Sequence, residues 1–256
     1  TVITAIFPAA GKGRRMGASF NKVFAALSDK PILIHTLLSF SRCNLVDNFV
    51  VVTAPHEVEP VSLVLKSIPL IKPCKVVAGG SERQYSVYNG LIAVPDSTDI
   101  VLVHDAARPL ISASVITAVI NETKQTGAAV AAVPVTNTIK VISTDNMVVN
   151  TPDRHTLWMI QTPQGFNKDL LLKAHEQART DNFLGTDDAS LVEHINCPVK
   201  VVMGDYKNIK ITSPDDLVYA EAMLGKKAVT RVKSEVSVAI SNAFEDMKIK
   251  IFKKRI

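Results

Sequence analysis

The sequence predicts an α/β sandwich: a mainly parallel sheet covered by helices on both faces, with a β-hairpin arm protruding from it. Two observations predict the sandwich. Short apolar, β-branched runs recur through the first half of the chain, and amphipathic stretches of helical length separate them. Strands that are apolar throughout, not only on alternate residues, are buried on both faces, as in a parallel sheet with helical crossovers. A third observation predicts the arm, because the rhythm breaks between residues 136 and 157.

Taken in order, residues 2–7, 49–53, 75–78, 100–103 and 128–133 read as buried strands. Residues 31–41, 57–66, 81–92 and 112–125 read as the helices between them. Residues 138–143 and 147–150 then flank the polar Thr144-Asp145-Asn146, the pattern of a hairpin. A hairpin that leaves its sheet exposes edges, and a partner subunit is a common cover for them. Helical stretches resume at 168–179 and 187–194, and strands at 199–203 and 208–212. Residues 214–224 close as a helix, with Ser213 as N-cap and Pro214 at its first position.

Composition narrows the class. A chain of 256 residues with 47% apolar content can bury a substantial core. Its apolar runs are too short to span a bilayer, and its first residues do not have the pattern of a secretory signal. Cys43, Cys74 and Cys197 lie far apart with no CxxC pair, which argues against a disulfide framework and for a reducing, cytoplasmic setting. The net charge of +5 is unevenly placed. Residues 1–225 carry 20 Lys and Arg against 21 Asp and Glu, whereas residues 226–256 carry 9 against 3. The main body therefore lacks the basic face of a nucleic-acid-binding domain. The organisation expected is one domain over 1–225 and a basic tail over 226–256. Apolar residues at three- and four-residue steps (Val229, Val232, Val236, Ile240) make a tail helix one reading, packed on a neighbour or bound to a partner or membrane surface.

In an open α/β sheet the ligand sits at the carboxyl ends of the strands, so the polar residues there are the candidates for a site. The first strand runs into Pro8-Ala-Ala-Gly-Lys-Gly-Arg-Arg-Met16. Ala9, Ala10, Gly11 and Gly13 leave backbone N–H groups open to an anion, with Lys12, Arg14, Arg15 and Lys22 adding positive charge. The alternative is a simple tight turn. The segment is neither a P-loop nor a dinucleotide fingerprint, which would need a glycine where Met16 stands. Gly79-Gly-Ser-Glu-Arg83 ends another strand and opens a helix, suited to a phosphate or a base edge, or to plain loop chemistry with Ser81 as N-cap. In His104-Asp-Ala-Ala-Arg-Pro109, Asp105 can hold a divalent cation or a ribose hydroxyl, and His104 reads as structural. Ser86 lies in no nucleophile elbow, and Asp187-Asp188 reads as a helix start, not a shared-proton dyad.

These segments, with Pro134-Val-Thr-Asn-Thr-Ile-Lys140, Leu157-Trp-Met-Ile-Gln-Thr-Pro-Gln164, Thr186-Asp-Asp-Ala189 and Asn208-Ile-Lys-Ile-Thr212, follow the order and spacing of one family. Over roughly residues 2–225 the chain resembles the 2-C-methyl-D-erythritol 4-phosphate cytidylyltransferases of the non-mevalonate isoprenoid pathway. The resemblance implies a Rossmann-like nucleotidyltransferase fold, a homodimer, Mg²⁺ or another divalent cation, and transfer of CMP from CTP to methylerythritol phosphate with release of pyrophosphate. By position it implies that Ala9, Ala10, Gly11 and Gly13 wrap the CTP phosphates and that Gly80, Ser81 and Ser86 lie near the cytosine. Arg15 and Lys22 match the pair that stabilises charge at the α-phosphorus, and Asp105 matches the residue near metal and sugar. Arg108, Thr138, Arg154 and Lys210 match the acceptor site, Thr138 and Arg154 reaching across the dimer on the arm. Two departures stand out: many members carry Pro-Lys-Gln where this chain has Asn21-Lys22-Val23, and the tail after Gly225 has no counterpart in the pattern. The ribitol 5-phosphate cytidylyltransferases, which make CDP-ribitol, share part of these motifs, but Ala9 and Ala106-Ala107-Arg108 favour methylerythritol phosphate. A non-catalytic CTP sensor would not need both Arg15 and Lys22.

Overall fold

The computed structural model describes residues 1–11, 21–68 and 72–225. Gly13, Arg15 and the tail lie outside the described residues, and so do the expectations made for them.

Seven strands form one sheet. They are β1 (Val2–Pro8), β4 (Asn48–Thr53), β5 (Cys74–Ala78), β6 (Thr98–Val103), β7 (Ala128–Pro134), β10 (Trp158–Asn167) and β11 (Lys200–Met203). Their order across the sheet is β5-β4-β1-β6-β10-β7-β11. All neighbours pair in parallel except β10, which runs antiparallel to both β6 and β7. Five of these strands are the apolar runs of the sequence, and a sixth, β11, falls within the expected 199–203. β10 is not expected from the sequence. Its sequence Trp-Met-Ile-Gln-Thr-Pro-Gln-Gly-Phe-Asn holds polar residues, a proline and a glycine, and its register with β7 shifts between Ile160 and Gln164. The edge strand β5 is only half-buried, not buried as its apolar sequence implied. The stretch 208–212, read as a strand, is an irregular segment anchored by the Ile211 N–H to the Ala107 carbonyl at 2.9 Å.

Helices cover both faces. α1 (Ile32–Ser41), α2 (Val58–Lys66) and α4 (Ala113–Thr126) pack on one face around Phe7, Leu37, Phe40 and Phe49. Phe7 meets Phe40 and Phe49 edge to face, with ring centres 5.0 and 5.2 Å away. α3 (Arg83–Leu91), α5 (Lys168–Thr180) and α6 (Asp188–His194) cover the other face around Ile6, Val52, Val101 and Phe166. The alternation of Ile6 and Phe7 between the two clusters is the strand period made visible. α4 starts on Ser112, which accepts from the Val115 N–H, and ends at Gly127, whose φ of +83° is the left-handed cap glycine adopts without strain. α7 (Pro214–Leu224) starts on Ser213 as expected and buries Ala220 against Leu27, Ile32 and Ile211.

Two small pairings stand outside the main sheet. β2 (Ala26–Leu27) pairs with β3 (Lys30–Pro31), too short to announce itself in sequence. β8 (Val141–Ile142) pairs antiparallel with β9 (Val148–Asn150), shorter than the expected 138–143 and 147–150 but in the same place, and forms the arm. Among the described residues no helix is long and apolar enough to cross a membrane.

Candidate active site

A cleft of about 690 Å³ opens at the carboxyl ends of β1, β5 and β6, within the size range of small-ligand sites. Of the residues singled out from sequence, Ala9, Ala10, Gly11, Lys22, Gly80, Ser81, Ser86, Asp105 and Lys210 line it. Arg108 lies just behind its wall, bonded to Asp105. Thr138 and Arg154 do not reach it and sit exposed in the arm region, away from this chain's own cleft.

Close packing of two loops builds one wall. A Cβ placed on Gly79 would lie 2.7 Å from the Ala10 Cβ and 2.8 Å from the Ser86 Oγ, so only glycine lets the β1 loop and α3 approach this closely. Ser86 is buried; its hydroxyl accepts from the Gly80 N–H at 3.1 Å and donates to the Glu82 carbonyl at 3.1 Å. α3 is capped by Glu82, with no side-chain cap bond, so Ser81 is not its N-cap and instead lines the cleft.

Asp105 is the electrostatic centre of the floor. Lys210 Nζ lies 3.0 Å from its carboxylate, Arg108 Nε 3.4 Å and Arg83 Nε 3.5 Å. Burial alone would raise the Asp105 carboxyl, but Lys210, Arg83 and Arg108 together hold it well below the usual carboxylate range. Arg83 ends the Gly79–Arg83 motif, and the sequence alone assigns it no role. It lines the cleft and also reaches inward, with Nη1 2.8 Å from Oδ2 of the fully buried Asp188, an angled ion pair with His175 behind it at 3.8 Å. Burial works against the Arg83 charge, and Asp188 followed by Asp105 outweighs it and raises the guanidinium further. The adjacent acids thus divide their work. Asp187 caps α6 by accepting from the Ser190 N–H at 3.0 Å, and Asp188 anchors Arg83.

The remaining motifs form the scaffold of this floor. The Asp105 N–H donates to Thr162 Oγ1 at 3.0 Å, and Thr162 Oγ1 lies 3.1 Å from His104 Nδ1. His104 Nε2 faces the Arg108 carbonyl at 3.1 Å, so the neutral ring donates there and accepts from Thr162. Burial lowers the His104 pKa to about 4, which keeps the ring neutral. Gln164 Nε2 donates to Asp187 at 2.7 Å, joining β10 to α6. Asn208 Nδ2 donates to the Thr162 carbonyl at 2.8 Å. Lys22 Nζ donates to the Ile211 carbonyl at 2.8 Å, so one short segment positions Lys22 and carries Lys210. That segment is tied down by Asp216, whose carboxylate accepts from the Thr212 N–H, the Thr212 hydroxyl and the Ser213 N–H, each at 2.8 Å. Burial, the largest single influence, raises its carboxyl, but these bonds together outweigh it and lower the pKa to about 2.

The buried neutral His104 has a consequence for stability. Its folded pKa lies below the ordinary value of about 6.5, so between those values the unfolded chain binds the proton first. Its contribution is complete above about pH 6.5 and declines as pH falls toward 4, by an amount on the order of 3 kcal/mol. Thermal unfolding followed across that window should show a falling Tm, with a shallower slope in His104→Gln; equal slopes would remove His104 as a cause.

The arrangement suits reaction between two anions. Lys22, Arg83 and Lys210 line the space, and among the described residues no serine or histidine is set up as a nucleophile; the Ala9 and Gly80 N–H groups, expected to be open to an anion, are instead bonded to the Val52 carbonyl and Ser86 Oγ. Comparison with known proteins agrees. A sequence model described as IspD: 2-C-methyl-D-erythritol 4-phosphate cytidylyltransferase matches residues 3–226. The chain is 47% identical over 225 residues, 88% of its length and 99% of the relative's, to a 2-C-methyl-D-erythritol 4-phosphate cytidylyltransferase of Caldanaerobacter subterraneus subsp. tengcongensis. The fold superposes with a TM-score of 0.78 on the crystal structure of the 4-diphosphocytidyl-2C-methyl-D-erythritol synthase of Anaerococcus prevotii, at 32% identity over 88% of this chain and 98% of that one. The Francisella tularensis 2-C-methyl-D-erythritol 4-phosphate cytidylyltransferase follows with a TM-score of 0.73, at 33% identity over 87% of this chain and 99% of that one. A shared fold, a sequence match across the whole described body and a cation-rich cleft at the strand ends lead to one conclusion: the chain belongs to the 2-C-methyl-D-erythritol 4-phosphate cytidylyltransferase family.

Proposed function

We infer that the cleft transfers CMP from CTP to 2-C-methyl-D-erythritol 4-phosphate, giving 4-diphosphocytidyl-2-C-methyl-D-erythritol and pyrophosphate. The observation that carries this reading is the floor around Asp105, where Arg83, Arg108 and Lys210 converge on one carboxylate beside a wall of small residues. A phosphate oxygen of the acceptor attacks the α-phosphorus of CTP. The new P–O bond forms as the bond from that phosphorus to the α,β-bridging oxygen breaks, and pyrophosphate leaves. The nucleophile is already anionic, so no strong general base is needed; the work is positioning and charge stabilisation.

The roles follow by position. Ala9, Ala10, Gly11 and Gly13 hold the triphosphate, and Gly80, Ser81 and Ser86 face the base. Lys22 and Arg15 stabilise the charge that builds at the α-phosphorus, and Lys210 and Arg108 receive the acceptor phosphate. Among the described residues no cluster of three or more His, Cys, Asp or Glu forms a metal cage. Asp105 and Glu82 are the carboxylates that line the cleft, and Mg²⁺ is typically held by one or two carboxylates together with substrate phosphates. Asp105 is the residue that would hold it, and the cation would neutralise triphosphate charge. The unpaired thiols of Cys43, Cys74 and Cys197 support a cytoplasmic setting.

Pyrophosphate release with CTP, Mg²⁺ and either methylerythritol phosphate or ribitol 5-phosphate tests the reading. Release with the first alone is expected; release with ribitol phosphate alone would overturn the acceptor assignment.

We also propose a homodimer in which Thr138 and Arg154 serve the partner's cleft. The arm exposes Ile142, Met147, Val148 and Val149, each at least 56% accessible, beside exposed Trp158, Met159 and Ile160, an apolar surface that a second copy would cover. Lys22→Ala and Arg154→Ala chains are each expected to be nearly inactive alone. Co-expressed, they should regain activity, because one of the two sites in a mixed dimer then carries both native residues. No recovery from purified mixed dimers would place Arg154 in its own chain's site, and an Arg154→Ala chain active alone would take it out of the reaction.

A further inference from the structure

We propose that Asn21 is a positioning residue of this reaction, its carboxamide stapling the start of the glycine-rich segment to its end and seating both on buried Glu57. The inference rests on the proposed CMP transfer and deepens it. Asn21 is 7% exposed and Glu57 4%, so neither is a solvated surface group. Asn21 Nδ2 donates to the Ala9 carbonyl, where the glycine-rich segment begins, and to Glu57 Oε2 at 3.2 Å. Asn21 Oδ1 accepts from the Val23 N–H at 3.4 Å and so caps the 3-10 turn Lys22–Phe24. With two acceptors on one side and a donor on the other, only this orientation of the amide satisfies every partner.

Glu57 is itself fixed. Its Oε2 also accepts from the Thr53 hydroxyl and from the Ala54 N–H at 3.1 Å, at the end of β4. The Ala9 N–H bonds to the Val52 carbonyl at 2.6 Å on the same strand. The staple therefore joins the end of β1, the end of β4 and the turn that presents Lys22. Gly11, Gly13 and Arg15 all lie between its two ends in sequence.

Steady-state kinetics on the full chain tests this. Asn21→Ala should lower kcat by about 10- to 100-fold, the scale expected when reacting groups are displaced by around an ångström, with little change in the KM for methylerythritol phosphate. A second variant separates positioning from stability. Val119→Ala, a core truncation in α4 that leaves Asn21, Ala9 and Glu57 untouched, lowers the Tm and should keep the parent's kcat at a temperature where both variants stay folded. An equal loss of kcat in Val119→Ala, or an Asn21→Ala enzyme with the parent's kcat, would overturn the proposal while CMP transfer stands. A parent protein without turnover would overturn both.

Discussion

Replacing Lys22 with alanine is expected to lower kcat by about 10²- to 10³-fold, with the affinity for CTP nearly unchanged. That is the usual cost of removing one preorganised donor aimed at transition-state charge. Lys22 lines the cleft wall, and its ammonium is directed by the Ile211 carbonyl at 2.8 Å. Positive charge there gains most when the α-phosphorus is crowded by five oxygens, so the loss should fall on the chemical step. Single-turnover measurement with enzyme in excess, alongside calorimetric titration of CTP, separates the two quantities. An unchanged kcat would take Lys22 out of the mechanism. A loss confined to CTP affinity would make it a binding residue only. Lys22→Arg should not restore the rate fully, because a planar fork does not reproduce a compact ammonium.

The second large effect is expected at Asp188, which is fully buried. Asp188→Leu leaves Arg83 without its nearest anion and should destabilise the fold by about 3–5 kcal/mol. For a domain of this size that is a fall in Tm of roughly 6–20 °C. Pairing it with Arg83→Met removes both charges and should recover much of the stability, as replacement of buried ion pairs by apolar groups often does. Activity should not recover with it. Arg83 also braces Asp105 at 3.5 Å, and methionine cannot. If the double variant is as unstable as the single one, the ion pair is not what holds α3 to α6. If it is stable and fully active, Arg83 is dispensable to the floor of the cleft.

How far the site was legible in sequence depended on the kind of contact involved. The wall of Ala9, Ala10, Gly11 and Gly80 was legible because small residues at a strand end have few other uses, and Asp105 because an acid directly after a buried strand has an unusual address. The role of Arg83 is not legible in its motif, since nothing local reveals that Asp188, far along the sequence, packs against it. Asn21 stood out only as a departure from a pattern. Its partners Ala9 and Glu57 lie 12 residues before it and 36 after it, distances that no local periodicity encodes.

The same division holds for the fold. The sequence alone determined the α/β class, most strands and helices, the Ser213 cap and the place of the arm, because hydrophobic period, capping and turn residues act over a few neighbouring positions. Tertiary structure alone decided that β10 enters the sheet antiparallel between β6 and β7, and that 208–212 forgoes strand pairing to tie Lys22 and carry Lys210. It also decided that three cations meet at one carboxylate. Those outcomes depend on which distant segments compete for the same edge and the same charge, and that competition is settled only when the chain is packed.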